Sequence, residues 1–88
     1  MKANKDMMMR EIAGEYILIP VGAAALEFQG IMTLNESGLF LWRMLQEECT
    51  EEKLVLALTE EYEVDIPTAQ ADVKKFLFQL QQNNALLK

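Results

Sequence analysis

A small antiparallel sheet followed by three helices, an α+β domain, is the fold this sequence predicts. Runs of strand formers and period-two alternation are confined to the first 34 residues. Helix starts then follow at Asn35, at Thr50 and at Asp65 or Ile66, each opening a segment with apolar residues at helical spacing. With 88 residues, 51% apolar and 25% charged, the chain has the size and composition of one globular domain spanning residues 1–88.

Residues 1–7 are polar enough to fray. Met8 to Ala13 is the first expected strand. Gly14 can take positive φ in the turn Ala13-Gly14-Glu15. Tyr16 to Ile19 is rich in strand formers, and Pro20 ends that second strand. Gly22 to Ala25 reads as a loose connector. Leu26-Glu27-Phe28-Gln29 alternates with period two, Gly30 is a bulge or bend, and Ile31 to Leu34 continues the third strand. Strict alternation puts Leu26, Phe28, Met32 and Leu34 on the core face and Glu27, Gln29, Ile31 and Thr33 outside; a bulge at Gly30 would shift that assignment.

Helix one is expected from Asn35 to about Glu47. The Asn35 side chain can cap a free N–H of the first turn, and Glu36 suits the positive end of the helix dipole. Gly38 is a poor helix former, so its place here implies a close neighbour. From Leu39 to Leu45 only Arg43 is polar, which marks a buried helix. Thr50 caps helix two, whose stripe is Leu54, Val55, Leu58 and Tyr62. Helix three carries Pro67 in its first turn, where a missing N–H does no harm. Its stripe is Ile66, Ala69, Val73, Phe76, Leu77 and Leu80. Asn83-Asn84 suits a left-handed cap. Ala85-Leu86-Leu87 then packs back on the core or adds a short strand. Three short helices with a small sheet also describe a winged helix-turn-helix.

The residue inventory argues against catalysis. Without histidine the commonest general base and metal ligand is missing. The fourteen carboxylates fall mostly in first helical turns or on polar faces, and the four glycines form no phosphate loop. Met7-Met8-Met9 reads as the start of a strand, not as a metal motif. Cys49 is the sole cysteine; with no histidine to activate it, it reads as an ordinary helix-end residue. No catalytic residue, metal or cofactor is expected. No apolar run spans a bilayer, no signal peptide is evident, and a lone cysteine forms no internal disulfide, which together favour a cytoplasmic protein without membrane contact. The net charge of −6 disfavours nucleic acid and suits basic or mixed-charge peptides and protein partners.

Binding remains. A meander has edges, and an edge strand offers unpaired N–H and C=O groups. A groove between the third strand and helix three would have an apolar floor, with Asp72 and Gln79 on one shoulder and Gln70, Lys74 and Gln81 on the other. Phe78 lies about 150° from the centre of its helix's stripe at 100° per residue, among Ala71, Lys74, Lys75 and Gln82. It is either an ordinary exposed aromatic or, with Lys74, part of a partner surface.

Leu34-Asn35-Glu36-Ser37-Gly38 with Trp42 and Leu45 resembles the hallmark of the pyrroloquinoline quinone biosynthesis protein D family. The hairpin Gly14 to Pro20 resembles its opening. Thr50 to Leu54, Leu58 and Glu61 to Asp65 resemble its second helix and exit, and Asp72-Val73, Phe76-Leu77, Leu80 and Leu86-Leu87 resemble its last helix and end. The likeness covers roughly residues 9–88; the family usually shows a glycine near Asn83-Asn84. The resemblance implies a winged helix-turn-helix-like fold with the sheet first. It also implies a non-catalytic adaptor that captures the leader region of a ribosomally made precursor peptide. The adaptor presents that leader to a modifying enzyme, often a radical S-adenosylmethionine protein. In that family's mode the leader adds as a strand to the third strand and lies against the last helix. For this chain that points to Gln29, Gly30, Ile31, Met32 and Thr33, and to Asp72, Lys75, Phe76 and Gln79. A winged-helix DNA-binding regulator is the alternative, although helix three offers only Lys74 and Lys75 against Asp72. A structural module is the third option, with Phe78 and the open edge serving a homodimer.

Overall fold

The computed structural model describes residues 1–22 and 32–87. Its elements are β1 (Lys2–Ala3), β2 (Met7–Ile12), β3 (Glu15–Pro20), β4 (Met32–Leu34), α1 (Glu36–Met44), α2 (Glu51–Tyr62), α3 (Ile66–Gln82) and β5 (Leu86–Leu87). The expected α+β order is therefore present. Strands β2, β3 and β4 form an antiparallel sheet in that order, and the three helices follow. Of the expected Leu26–Leu34 strand, Met32–Leu34 is β4; residues 23–31, including the expected bulge at Gly30, lie outside the described residues.

The β2–β3 hairpin closes on two residues, Ala13 at φ 54° and Gly14 at φ 82°. Two left-handed residues make the mirror-image turn whose twist matches a hairpin. Beyond it Ile12 pairs with Glu15 and Arg10 with Ile17, while Tyr16, Ile17 and Leu18 pair with Leu34, Thr33 and Met32 of β4.

Each helix begins with a side-chain cap. Asn35 Oδ1 accepts from the Gly38 N–H at 2.8 Å, Thr50 Oγ1 from Lys53 at 3.1 Å and Asp65 Oδ1 from Thr68 at 2.9 Å. Such caps each stabilise a helix by about 1 kcal/mol. The sheet and helices close over one apolar cluster that includes Leu18, Leu41, Trp42, Leu45, Leu58, Val73 and Leu80. Truncating one of these fully buried leucines to alanine costs about 2–5 kcal/mol.

Four expectations need correction. Residues 1–7 do not fray. Lys2–Ala3 pairs with Leu86–Leu87, the Ala3 N–H donates to the Leu45 carbonyl at 2.7 Å, and Ala3 and Met7 are buried. The strand pairing crosses almost the whole chain and the Ala3–Leu45 bond about half of it, so no local pattern announces them. Helix one ends at Met44, not near Glu47. The Gln46 N–H reaches back three residues, to Arg43, at 3.3 Å, and the Leu45 carbonyl is taken by Ala3. Ile66, expected in the core stripe, is 53% exposed because the stripe runs off the end of the core there; half-buried Val64 packs against the core instead. Tyr62 also stands at the rim, its ring edge-on to Phe40 with centroids 5.8 Å apart.

Candidate functional site

The sheet order leaves the outer side of β4 without a strand partner among the described residues. Which of its groups face outward follows from the register. In a two-residue hairpin the flanking pair Ile12–Glu15 exchanges hydrogen bonds, and bonded pairs then alternate along the ladder. Tyr16 and Leu18 therefore direct their backbone groups toward β4, where they meet Leu34 and Met32. Ile17 directs its groups toward β2. Its β4 partner Thr33 is thus in a non-hydrogen-bonded pair, and the Thr33 N–H and C=O point away from the sheet. The side chains alternate in the other sense: Met32 and Leu34 are buried and Thr33 is exposed.

Across from this edge lies α3. Its far end approaches the start of β4, with Asn83 Nδ2 at 4.0 Å from Met32 Sδ. About two turns earlier, Phe76 approaches the first turn of α1: a Cβ built on Gly38 would stand 3.3 Å from Phe76 Cε1 and 3.0 Å from Asn35 Oδ1. Helix α3 therefore runs antiparallel to β4. The neighbour expected beside Gly38 is this ring, together with the cap oxygen.

Between them is a groove of about 420 Å³. Met32, Thr33 and Leu34 line it from β4, Asn35, Ser37, Gly38 and Leu41 from α1, and Asp72, Lys75, Phe76 and Gln79 from α3. The floor is apolar, because Met32, Leu34, Leu41 and Phe76 are all buried. The lips are polar: Thr33, Asp72, Lys75 and Gln79 are exposed.

Six of the expected peptide-binding residues thus meet in one groove: Met32, Thr33, Asp72, Lys75, Phe76 and Gln79. Gln29, Gly30 and Ile31 lie outside the described residues. The α1 wall was not anticipated as part of the site. Its signal was present in the sequence, since a cap and a first-turn glycine directly after an edge strand place the helix start beside that edge. Phe78 and Lys74 lie off the groove; Phe78 is 58% exposed, and Lys74 Nζ is 3.9 Å from the Glu51 carboxylate. Among the described residues no group of His, Cys, Asp or Glu is placed to hold a metal ion, and no helix is long and apolar enough to cross a membrane. Cys49 is buried, with Sγ 3.6 Å from the Thr50 carbonyl oxygen.

A strand edge unpaired among the described residues and facing an apolar groove defines a small binding module, a shape suited to an extended chain. Residues 10–86 match the sequence profile of the coenzyme PQQ synthesis protein D (PqqD) family, and the chain belongs to that family. It is similar to TbiB1, solved in complex with the TbiA(beta) leader peptide: 28% identity, 98% of this chain and 94% of that one covered, TM-score 0.76. It also shares the fold of lasso peptide synthetase B1, solved with the leader peptide, at 18% identity, with 99% and 96% covered and a TM-score of 0.75. No curated protein matches the sequence.

Proposed function

We propose that the chain is a single, non-catalytic peptide-recognition domain. It binds the leader region of a ribosomally made precursor peptide and holds it for a modifying enzyme, which in the family resembled is often a radical S-adenosylmethionine protein. The observation that carries this reading is the outward-facing Thr33 backbone beside the groove of Met32, Asp72, Lys75, Phe76 and Gln79. The leader adds as a strand to β4, taking affinity from backbone hydrogen bonds and specificity from the floor and lips. Gln29, Gly30 and Ile31, which precede β4, belong to the same proposed edge. Membership of the PqqD family and the likeness to TbiB1, a leader-peptide complex, support the reading. The proposed contact for the enzyme is Phe78 with Lys74, on the solvent side of α3 next to the Lys75 lip.

The test is a titration of isotope-labelled protein with its cognate leader segment. Amide shifts should concentrate in β4, the segment before it and α3. A micromolar dissociation constant, about −8 kcal/mol, is the expected scale. Shifts centred on α2, or no binding, would overturn the proposal.

A further inference from the structure

Asp72 and Lys75 stand on the same lip of the groove, three residues apart on α3. Opposite charges at that spacing commonly pair on a helix. Here, among the described residues, neither is in an ion pair, whereas the neighbouring Lys74 lies near Glu51. The other described residues lining the groove carry no charge: Met32, Thr33, Leu34, Asn35, Ser37, Gly38, Leu41, Phe76 and Gln79. Among the described residues the fixed charge of the groove is therefore one dipole. Because α3 runs antiparallel to β4, its negative end lies toward the start of α1 and its positive end toward the start of β4.

We infer that this dipole sets the direction and register of the bound peptide, selecting a segment with a carboxylate where it crosses Lys75, a cation toward Asp72 and an apolar side chain on Phe76. The inference rests on the peptide-binding reading above. Backbone hydrogen bonds to Thr33 are the same for every sequence, so they fix neither which residue sits opposite nor which way the strand enters. The floor fixes the face, since a slip of one residue turns every side chain over. A slip of two residues, or a reversed strand, keeps the face and is left for the charges and the Phe76 contact to reject. Lip charges act in this way, excluding wrong partners and fixing register more than adding affinity.

The experiment measures affinity by fluorescence anisotropy for the same cognate leader segment. A second synthetic copy has its acidic and basic residues exchanged. The protein is compared as wild type, Lys75→Glu, the double reversal Asp72→Lys with Lys75→Glu, and Thr33→Pro. Both lip residues are exposed, so these reversals leave the core intact. Lys75→Glu should weaken the native leader about tenfold at low salt, one attraction being replaced by a repulsion of similar size, and the loss should shrink as salt rises. The double reversal should prefer the exchanged peptide. Unchanged affinity in both charge variants, with binding abolished by Thr33→Pro, would overturn the dipole and leave the groove standing. Unchanged affinity in all variants, or no binding to wild type, would overturn the groove itself and the dipole with it.

Discussion

The edge of the Phe76 ring packs against the backbone of Gly38 so closely that a methyl group there would crowd it. A Cβ there would stand 3.3 Å from the ring and 3.0 Å from Asn35 Oδ1, the side-chain oxygen that caps the same helix. In an open helix, replacing glycine by alanine gains about 1 kcal/mol. Here the cap oxygen and the ring must each give by a few tenths of an ångström, and the ring floors the groove. Gly38→Ala is expected to leave the melting temperature nearly unchanged, the propensity gain being offset by displacement. Leader affinity should fall about tenfold, or 1.4 kcal/mol. Calorimetric melting alongside a binding titration checks this. A protein stabilised by the full propensity increment and binding normally would show that the contact has slack.

Thr33 separates strand addition from side-chain docking. Its N–H is directed away from β3, so Thr33→Pro removes a donor that the sheet does not use. The fold should tolerate proline at this edge with a loss of about 1 kcal/mol or less, while leader binding is lost. The control is Thr33→Val, which keeps the N–H and should bind normally. Equal binding by both variants would mean that the peptide does not pair with β4.

Much of this was legible because the sequence marks it locally. Asn35, Thr50 and Asp65 each announce a helix, Gly38 announces a close contact, and the left-handed Asn84, at φ 55°, was expected from its residue type. Phe76 and Leu77 were readable as core from helical spacing alone. Ala13 was not readable as left-handed, because alanine has no preference for that conformation; the two-residue hairpin imposes it. The β1–β5 pairing was hidden for a different reason. Two residues carry no periodicity, and their partners lie more than eighty residues away. The α1 wall was hidden because a cap and a binding surface use the same residues.

Asp65 makes one part of the stability pH-dependent. The hydrogen bonds it accepts from Thr68 hold its carboxyl below the usual aspartate range. A depressed value in the folded state means that the unfolded chain binds the proton more readily. The stabilisation is therefore complete above the ordinary aspartate value and is lost as pH falls through the lower, folded one. Asp65→Asn keeps a capping oxygen but cannot titrate. Its melting temperature should lie close to wild type at acidic pH and diverge downward toward neutrality. Parallel curves for the two proteins across that window would show that the cap does not depend on charge.

Phe78 tests where a partner sits. It is 58% exposed on a helix where its neighbours in sequence, Phe76 and Leu77, are buried. Removing an exposed side chain usually changes stability by within about 0.5 kcal/mol, whereas truncating a buried phenylalanine costs about 3–5. Phe78→Ser is therefore expected to melt within a few degrees of wild type. It should also bind the leader normally, since Phe78 does not line the groove. What it should lose is pull-down of the modifying enzyme, and Lys74→Glu should weaken the same contact by reversing a charge one turn away. Sedimentation of the variant distinguishes the remaining outcomes: a wild-type dimer that dissociates assigns the surface to a second copy of the chain. Unchanged enzyme capture and unchanged mass would make Phe78 an ordinary exposed aromatic, and the proposed enzyme contact would have to move elsewhere on the domain.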